Sequence, residues 1–368
     1  MKTNKTKNIV VCSLFGAFLL VMFILCVFLP KPEYSESERR KLATLLPLTY
    51  ENIESGRMMT SFESYSTDNF PFRDGFRTLK AIVSTGMFRR LDNNKIYVAD
   101  GYAAAIEYPM KDANLVRAAD RFRNVYNTLL SDSNKVYVSM IPDKGAFLAE
   151  KNGRLSMDYG AFEARMRELT GDFSQYVAIS DLLSLEDYYK TDTHWRQENI
   201  TDVADRLLTA MGAPATGSYK KNELDYGFHG VYYGQSSLPL PTETIYYLTN
   251  DILDGCTVYN GEKNNAVMPM YDMELGHGKD PYEMYLGGSL SLVTIENPNA
   301  STDRRLVLFR DSFGSAIAPL FSESYAKVTL VDIRYIQPMM LSRFIDFEGA
   351  DIMFLYSTLV VNNSETLN

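Results

Sequence analysis

Histidine, cysteine and tryptophan are scarce in this chain of 368 residues, and each scarcity excludes something. There are three cysteines, three histidines and one tryptophan. Cys12 and Cys26 fall in an apolar run near the N-terminus, so only Cys256 lies in the body, where it has no partner for an intramolecular disulfide. No CxxC motif and no Cys/His cluster occurs, and His194, His229 and His277 are far apart in sequence. That pattern argues against a transition-metal centre, and neither a metal nor a cofactor is expected. Positive charge is also short: 37 Lys and Arg stand against 46 Asp and Glu, a net charge of −9. With no basic run in the folded part, such a surface repels phosphate backbones, and nucleic-acid binding is excluded. The chain is nonetheless a folding one, 46% hydrophobic and 23% charged, and long enough to bury a sizeable core.

The longest uncharged stretch runs from Ile9 to Leu29 behind Lys2, Lys5 and Lys7. At 1.5 Å per residue, roughly 21 helical residues cross a hydrocarbon layer of ~30 Å. The stretch has no polar face, as a buried core helix would, and ends Val27-Phe28-Leu29-Pro30-Lys31 with no small-x-small cleavage signature. It is expected to be an uncleaved anchor. Lysines before it and no acid among them put residues 1–8 in the cytoplasm and the body outside. Residues 30–60 then form a charged stalk, and residues 61–368 the extracytoplasmic domain.

Within that body, apolar residues recur at helical spacing from Asp112 to Leu130 (Leu115, Ala118, Ala119, Phe122, Val125), and further helices are expected at Gly75–Leu91, Tyr159–Leu169, Ser315–Phe321 and Pro338–Phe347. Strand-like runs stand at residues 135–141, 176–180, 305–310, 327–333 and 351–356. Strands alternating with helices imply an α/β fold with a mainly parallel sheet covered on both faces. The segment from about residue 218 to 299, rich in Gly, Tyr and Asn, reads as loops and short strands beside the active face.

Two segments carry chemistry. In Tyr189-Lys190-Thr191-Asp192-Thr193-His194-Trp195, an acid and a histidine one residue apart can face one cleft, the carboxylate holding the imidazole tautomer. The alternative is that Thr193 caps the following helix and His194 merely packs. Trp195 offers an indole to wall the site or to receive a sugar face. In Leu308-Phe309-Arg310-Asp311-Ser312-Phe313-Gly314, a serine follows a buried strand and opens a helix, where an open α/β sheet places its ligands. The helix-start N–H groups there suit an oxyanion, although Asp311 and Ser312 are also ordinary N-cap residues. Lesser candidates are Lys144 at the end of its strand, Arg334 near Asp332, and His229 as a loop ligand; His277 is expected to be solvated.

The set Thr191-Asp192-Thr193-His194-Trp195 with Asp311-Ser312-Phe313 resembles the DHHW proteins and the alginate O-acetyltransferases, relatives of the SGNH hydrolases. Glu38-Arg39-Arg40-Lys41, Phe70-Pro71-Phe72-Arg73-Asp74, Pro142-Asp143-Lys144, Leu286-Gly287-Gly288 and Val331-Asp332-Ile333-Arg334-Tyr335 match in the same order. The resemblance implies an SGNH-hydrolase-like three-layer α/β/α fold. It also implies a Ser312 nucleophile with His194 as base and Asp192 as its orienter, and Trp195, Arg334 and Lys144 as substrate-binding candidates. The activity implied is O-acetyl transfer to an exported polysaccharide beside a multi-pass membrane acyl carrier protein. An acetylesterase with the same triad and a non-catalytic polysaccharide-binding scaffold are the alternatives. This chain departs from the pattern at Thr193, in place of the first His of the family name, at Arg310, in place of Gly, and at Ser289, where relatives often have Asn.

Overall fold

The computed structural model describes residues 5–367, so Lys2 of the basic cluster lies outside the described residues. Its contacts divide the chain into two units, the first ending at Asn93 and including Gly234–Pro239, the second holding Asn94–Tyr233 and Leu240 onward.

In the first unit, helix α1 (Lys5–Phe28) is long and apolar enough to cross a membrane and buries none of its residues. Beyond it, Tyr34–Ser35 pairs with Arg40–Lys41, and after a short helical turn at Tyr50–Glu54 come the helices α2 (Arg57–Asp68) and α3 (Arg73–Ile82). Asp68 binds Arg40 through both oxygens (2.8 and 2.6 Å) and accepts the Ala43 N–H. The Arg40 bond holds its carboxyl down at about 2 despite burial.

The second unit is built on an eight-stranded sheet. Its strands are β1 (Lys135–Ile141), β2 (Gln175–Tyr176), β3 (Thr257–Asn260), β4 (Ala266–Met268), β5 (Leu292–Glu296), β6 (Arg305–Arg310), β7 (Lys327–Val331) and β8 (Asp351–Ser357). Their spatial order is β4-β3-β5-β7-β6-β8-β1-β2. The stretch from β7 to β2 is parallel throughout, and β5, β3 and β4 extend it antiparallel. The parallel strands read as unbroken apolar runs because both faces are covered. In β6, Leu306 and Leu308 point into one core with helices α6 (Thr201–Ala210) and α7 (Phe313–Phe321). Val307 and Phe309 point into the other, with α4 (Asp112–Leu129) and α5 (Tyr159–Thr170). Helix α5 starts where Asp158 accepts the Ala161 N–H at 2.9 Å, an N-cap worth roughly 1 kcal/mol.

The mainly parallel three-layer fold expected from the sequence is present. Differences lie at short elements. The strand expected over 176–180 is only Gln175–Tyr176, and the helix expected over 338–347 is a 3₁₀ turn, Pro338–Arg343. The middle segment, read as loops and short strands beside the active face, supplies three strands of the main sheet itself and a hairpin of Lys220–Phe228 with Glu243–Thr249.

Candidate active site

Registers align the C-terminal ends of β6, β8 and β1, with Arg310 opposite Leu355 and Ser357 opposite Ile141. Residues just past those ends therefore meet at one edge of the sheet. Asp311 is fully buried there. One of its oxygens accepts the Phe313 N–H (3.0 Å) and the other the Ser357 N–H (2.7 Å), which caps α7 and ties β6 to β8. Ser312 follows, partly exposed, at the N-cap of α7. The Gly314 and Ser315 N–H groups bond to Asp311 and Ser312 carbonyls, while the Ser312 N–H has no acceptor among the described residues. Such an orphan donor suits a developing oxyanion.

The loop Tyr189–His194 closes on itself, with the Tyr189 N–H donating to the His194 carbonyl (3.1 Å) and Tyr188 bridging Trp195. Asp192 is fully buried. Its Oδ1 lies 2.5 Å from His194 Nδ1 and accepts the His194 backbone N–H, and its Oδ2 accepts the Val231 N–H at 2.8 Å. His194 Nε2 is 2.7 Å from Ser312 Oγ. An ionised Asp192 requires the proton on Nδ1, so Nε2 is the acceptor for the serine hydroxyl. Tyr282 stacks on the imidazole at 3.8 Å between centroids, and Phe313 tilts against it at 5.0 Å. Burial pushes the Tyr282 phenol well above its ordinary value, so this cover stays neutral. The arrangement can pass a proton from a hydroxyl to an imidazole and stabilise the imidazolium that results.

What holds the loop was not visible in the sequence. Glu243, buried on the hairpin, accepts the Lys190 N–H (2.5 Å), the Thr191 N–H (2.6 Å) and the Thr191 hydroxyl (2.5 Å). Thr191 Oγ1 in turn accepts the Gly230 N–H at 2.8 Å. Gly230 sits so close that a Cβ there would lie 2.3 Å from the Asp192 nitrogen. On the other side, Lys144 Nζ donates to the carbonyls of Tyr189 (2.8 Å) and Lys190 (3.2 Å). Burial pushes the Lys144 amine down to about 7, against the pull of Glu243, Asp192 and Asp143.

The structure therefore brings together Ser312, His194 and Asp192, and it corrects two other expectations. Trp195 is fully buried and receives no sugar: its Nε1 donates to the Phe313 carbonyl at 3.0 Å, fastening the histidine loop to the start of α7. Lys144 does not line the cleft either, because its amine is buried and engaged by the loop backbone. Arg334 binds both oxygens of Asp332 (2.9 and 2.6 Å), an ion pair within its own turn. His229 stacks on Tyr233, and His277 bonds Met273 and Asp225, both outside the constellation. No group of three or more His, Cys, Asp or Glu able to hold a metal occurs among the described residues.

No family model matches the sequence, and no curated protein matches it. Solved structures do. A DHHW family protein from Eubacterium siraeum superposes with a TM-score of 0.56 at 19% identity, over 75% of this chain and 95% of its own. Bacillus cereus PatB1 with a sulfonyl adduct gives 0.58 at 16% identity, over 72% and 95%. PatB1 in a second structure gives 0.55 at 14%, over 72% and 96%. The resemblance read from the Asp-Thr-His-Trp and Asp-Ser segments is thus borne out at the level of the fold, which this chain shares with the DHHW family protein and PatB1.

Proposed function

We propose that the protein is an extracytoplasmic O-acyltransferase, an acetyltransferase acting on a cell-surface or exported polysaccharide, with Ser312 as nucleophile, His194 as general base and Asp192 as its orienter. The observation that carries the reading is the unbroken chain Ser312 Oγ–His194 Nε2 (2.7 Å) and His194 Nδ1–Asp192 Oδ1 (2.5 Å) at the C-terminal edge of a parallel sheet. In the first half-reaction, Ser312 Oγ attacks the donor's acyl carbonyl while its proton passes to His194 Nε2. The carbonyl oxygen becomes an oxyanion beside the Ser312 N–H. The intermediate collapses to acyl-Ser312, and the leaving group takes the proton from His194. In the second, a sugar hydroxyl gives its proton to Nε2 and attacks the acyl-serine carbonyl; the intermediate collapses with loss of Ser312 Oγ, which takes that proton back from His194 as the acylated sugar leaves.

A scaffold that only binds polysaccharide has no use for a serine hydroxyl held on an oriented imidazole, so the geometry favours chemistry. The acetyl group, the polysaccharide acceptor and a multi-pass membrane acyl carrier as donor partner follow from the family resemblance. The topology, with residues 9–29 as anchor, the N-terminus in the cytoplasm and the stalk and catalytic domain outside, follows instead from the uncharged run and the lysines that precede it. Protease added to spheroplasts tests the topology: it should remove the body and leave the N-terminus protected.

The chemistry is tested on the purified protein with an acetyl-ester surrogate, with and without oligosaccharide, by mass spectrometry of protein and sugar. An acetyl group on Ser312 that moves to the sugar supports transfer; acetate released at the same rate whether or not sugar is present makes the enzyme an esterase. PatB1 carries a sulfonyl adduct in one of its structures. A sulfonyl fluoride that leaves Ser312 unmodified here would count against an activated nucleophile.

A further inference from the structure

In helix α3 the usual distribution of polarity is inverted. The residues it turns inward are Arg73, Arg77, Ala81 and, on the following turn, Ser84, at spacings of three and four. Arg73 and Arg77 both bind Glu38 from the segment after α1, at 2.5 and 3.2 Å. Flanked by exposed Asp74 and Lys80, its outward side carries an apolar stripe that begins at Phe72, just before the helix: Phe72 is 68% exposed, Phe76 43%, Leu79 56% and Ile82 48%. Met87 and Phe88, 75% and 69% exposed, continue the stripe past the helix end. A contiguous apolar face of this size on a surface marks an interaction site.

What covers the face follows from where the chain comes from. Only five residues separate the end of α1 at Phe28 from the strand that opens at Tyr34. That connection reaches at most about 20 Å even when extended. The segment after it is clamped to α2 and α3 by Asp68–Arg40 and by Glu38 with Arg73 and Arg77. Leu29, Pro30, Lys31 and Pro32 share one groove of about 510 Å³ with Phe70, Pro71, Phe72 and Arg73. Lys31 Nζ donates to the Cys26 carbonyl at 2.6 Å and also reaches the Asn69 carbonyl. The apolar stripe therefore begins beside the end of α1, the point at which a membrane-spanning helix leaves the hydrocarbon. Exposed Arg89 and Arg90 close the stripe, placed to meet anionic headgroups.

We propose that the outward face of α3, with Phe72, Phe76 and Leu79 as its centre, lies in the interface of the bilayer that α1 enters, so that this unit is held to the membrane surface at two points. The inference rests on the reading of α1 as an anchor and is independent of the catalytic one. It is tested on the full chain reconstituted in vesicles of phosphatidylcholine and phosphatidylglycerol, with F76W and L79W as separate fluorescent reporters. The native Trp195, buried in the other unit, supplies the background from the unsubstituted protein. Each reporter should emit at shorter wavelength than in detergent-free buffer peptides of the same sequence, and should lose intensity when the lipid acyl chains carry bromine. Reporters quenched by aqueous iodide and indifferent to bromine would overturn the proposal by leaving the face in water. Reporters shielded from both quenchers would overturn it in favour of a second copy of the chain. Alkaline carbonate extraction of the same vesicles separates the two failures: a chain that stays membrane-embedded with unquenched reporters refutes the docking alone, and a chain that washes out refutes the anchor as well.

Discussion

Glu243 is the residue whose removal most sharply tests how the site is held. In Glu243→Gln the side chain keeps its size and one acceptor oxygen, which can still serve the Thr191 N–H and hydroxyl. The new amide NH₂ then faces the Lys190 N–H, which had a carboxylate oxygen at 2.5 Å. One hydrogen bond to a charged acceptor is lost, about 1.5–3 kcal/mol, and a buried donor is left opposite another donor, about 1–3 kcal/mol more. Together these come to about 2.5–6 kcal/mol, which lowers the melting temperature of a unit of this size by about 5–24 °C. The effect on activity travels along the chain from Thr191 Oγ1 to the Gly230 N–H and so to the segment that packs on Asp192. A misplacement near 1 Å is worth about 100-fold in rate. Sulfonylation of Ser312 should therefore slow by about 10–100-fold, with little change in the affinity for an ester surrogate. The charge matters separately. Glu243 raises the Lys144 amine, so neutralising it lets burial push that amine below about 7. A variant with wild-type melting and wild-type sulfonylation would refute the view that this carboxylate holds the loop.

Ser312→Ala should abolish acyl-enzyme formation while leaving the thermal transition in place, and His194→Ala should cost nearly as much, at least ~10³-fold each, since members of a triad act as a unit; intact-mass analysis of the acetylated protein reads both. Gly230→Ala drives a methyl group into the backbone of Asp192, 2.4 Å from its Cα, so melting should fall by an amount corresponding to about 1–3 kcal/mol and the Ser312 reaction should slow with it. Lys144→Met should flatten the stability profile above neutrality. The folded amine, near 7, holds fewer protons than the unfolded one, near 10.5, so raising pH between those values favours the folded state by up to about 1.4 kcal/mol per pH unit. Above pH 10 the buried phenols of Tyr188, Tyr189 and Tyr282, all pushed upward by burial, turn the profile down in both proteins, and urea titrations from pH 7 to 10 resolve the difference.

The sheet's centre was legible because its strands are buried on both faces. Lys135–Ile141, Arg305–Arg310 and Asp351–Ser357 stand out as apolar runs for that reason, and α4 as a period of three and four. The antiparallel extension was not. β3 and β4 are only four and three residues long, too short for an apolar run to set them apart within a segment read as loops and short strands. Local chemistry singled out Asp192, His194 and Ser312 only as candidates, each open to a capping or packing role, and it was the resemblance that joined them into one set. Glu243 carries no such mark: it lies more than 50 residues from the loop it holds, and only the hairpin's fold brings it there. Lys144 was noticed for its place after a strand, but its role depends on carbonyls at Tyr189 and Lys190 that no pattern of side chains announces.

Arg310 shows how a departure from a family pattern is accommodated. Where the related pattern has glycine, this chain buries a whole guanidinium. An isolated buried charge costs several kcal/mol, so its partners must account for its presence. Nη2 donates to the carbonyls of Gly288 (3.3 Å) and Leu290 (3.2 Å), and Nη1 lies 3.7 Å from the buried carboxylate of Asp332. The bonds are made to a loop whose backbone is left-handed at three successive residues, Leu286, Gly287 and Gly288. That loop follows directly on the turn that stacks Tyr282 over His194. One strand end thus presents Ser312 and, two residues earlier, fixes the segment that covers its partner histidine. Space for the larger side chain is found one helical turn on: a Cβ at Gly314 would lie 2.5 Å from the Arg310 Cβ. A small residue is therefore needed at position 314, where the chain passes from β6 into α7 beside the serine.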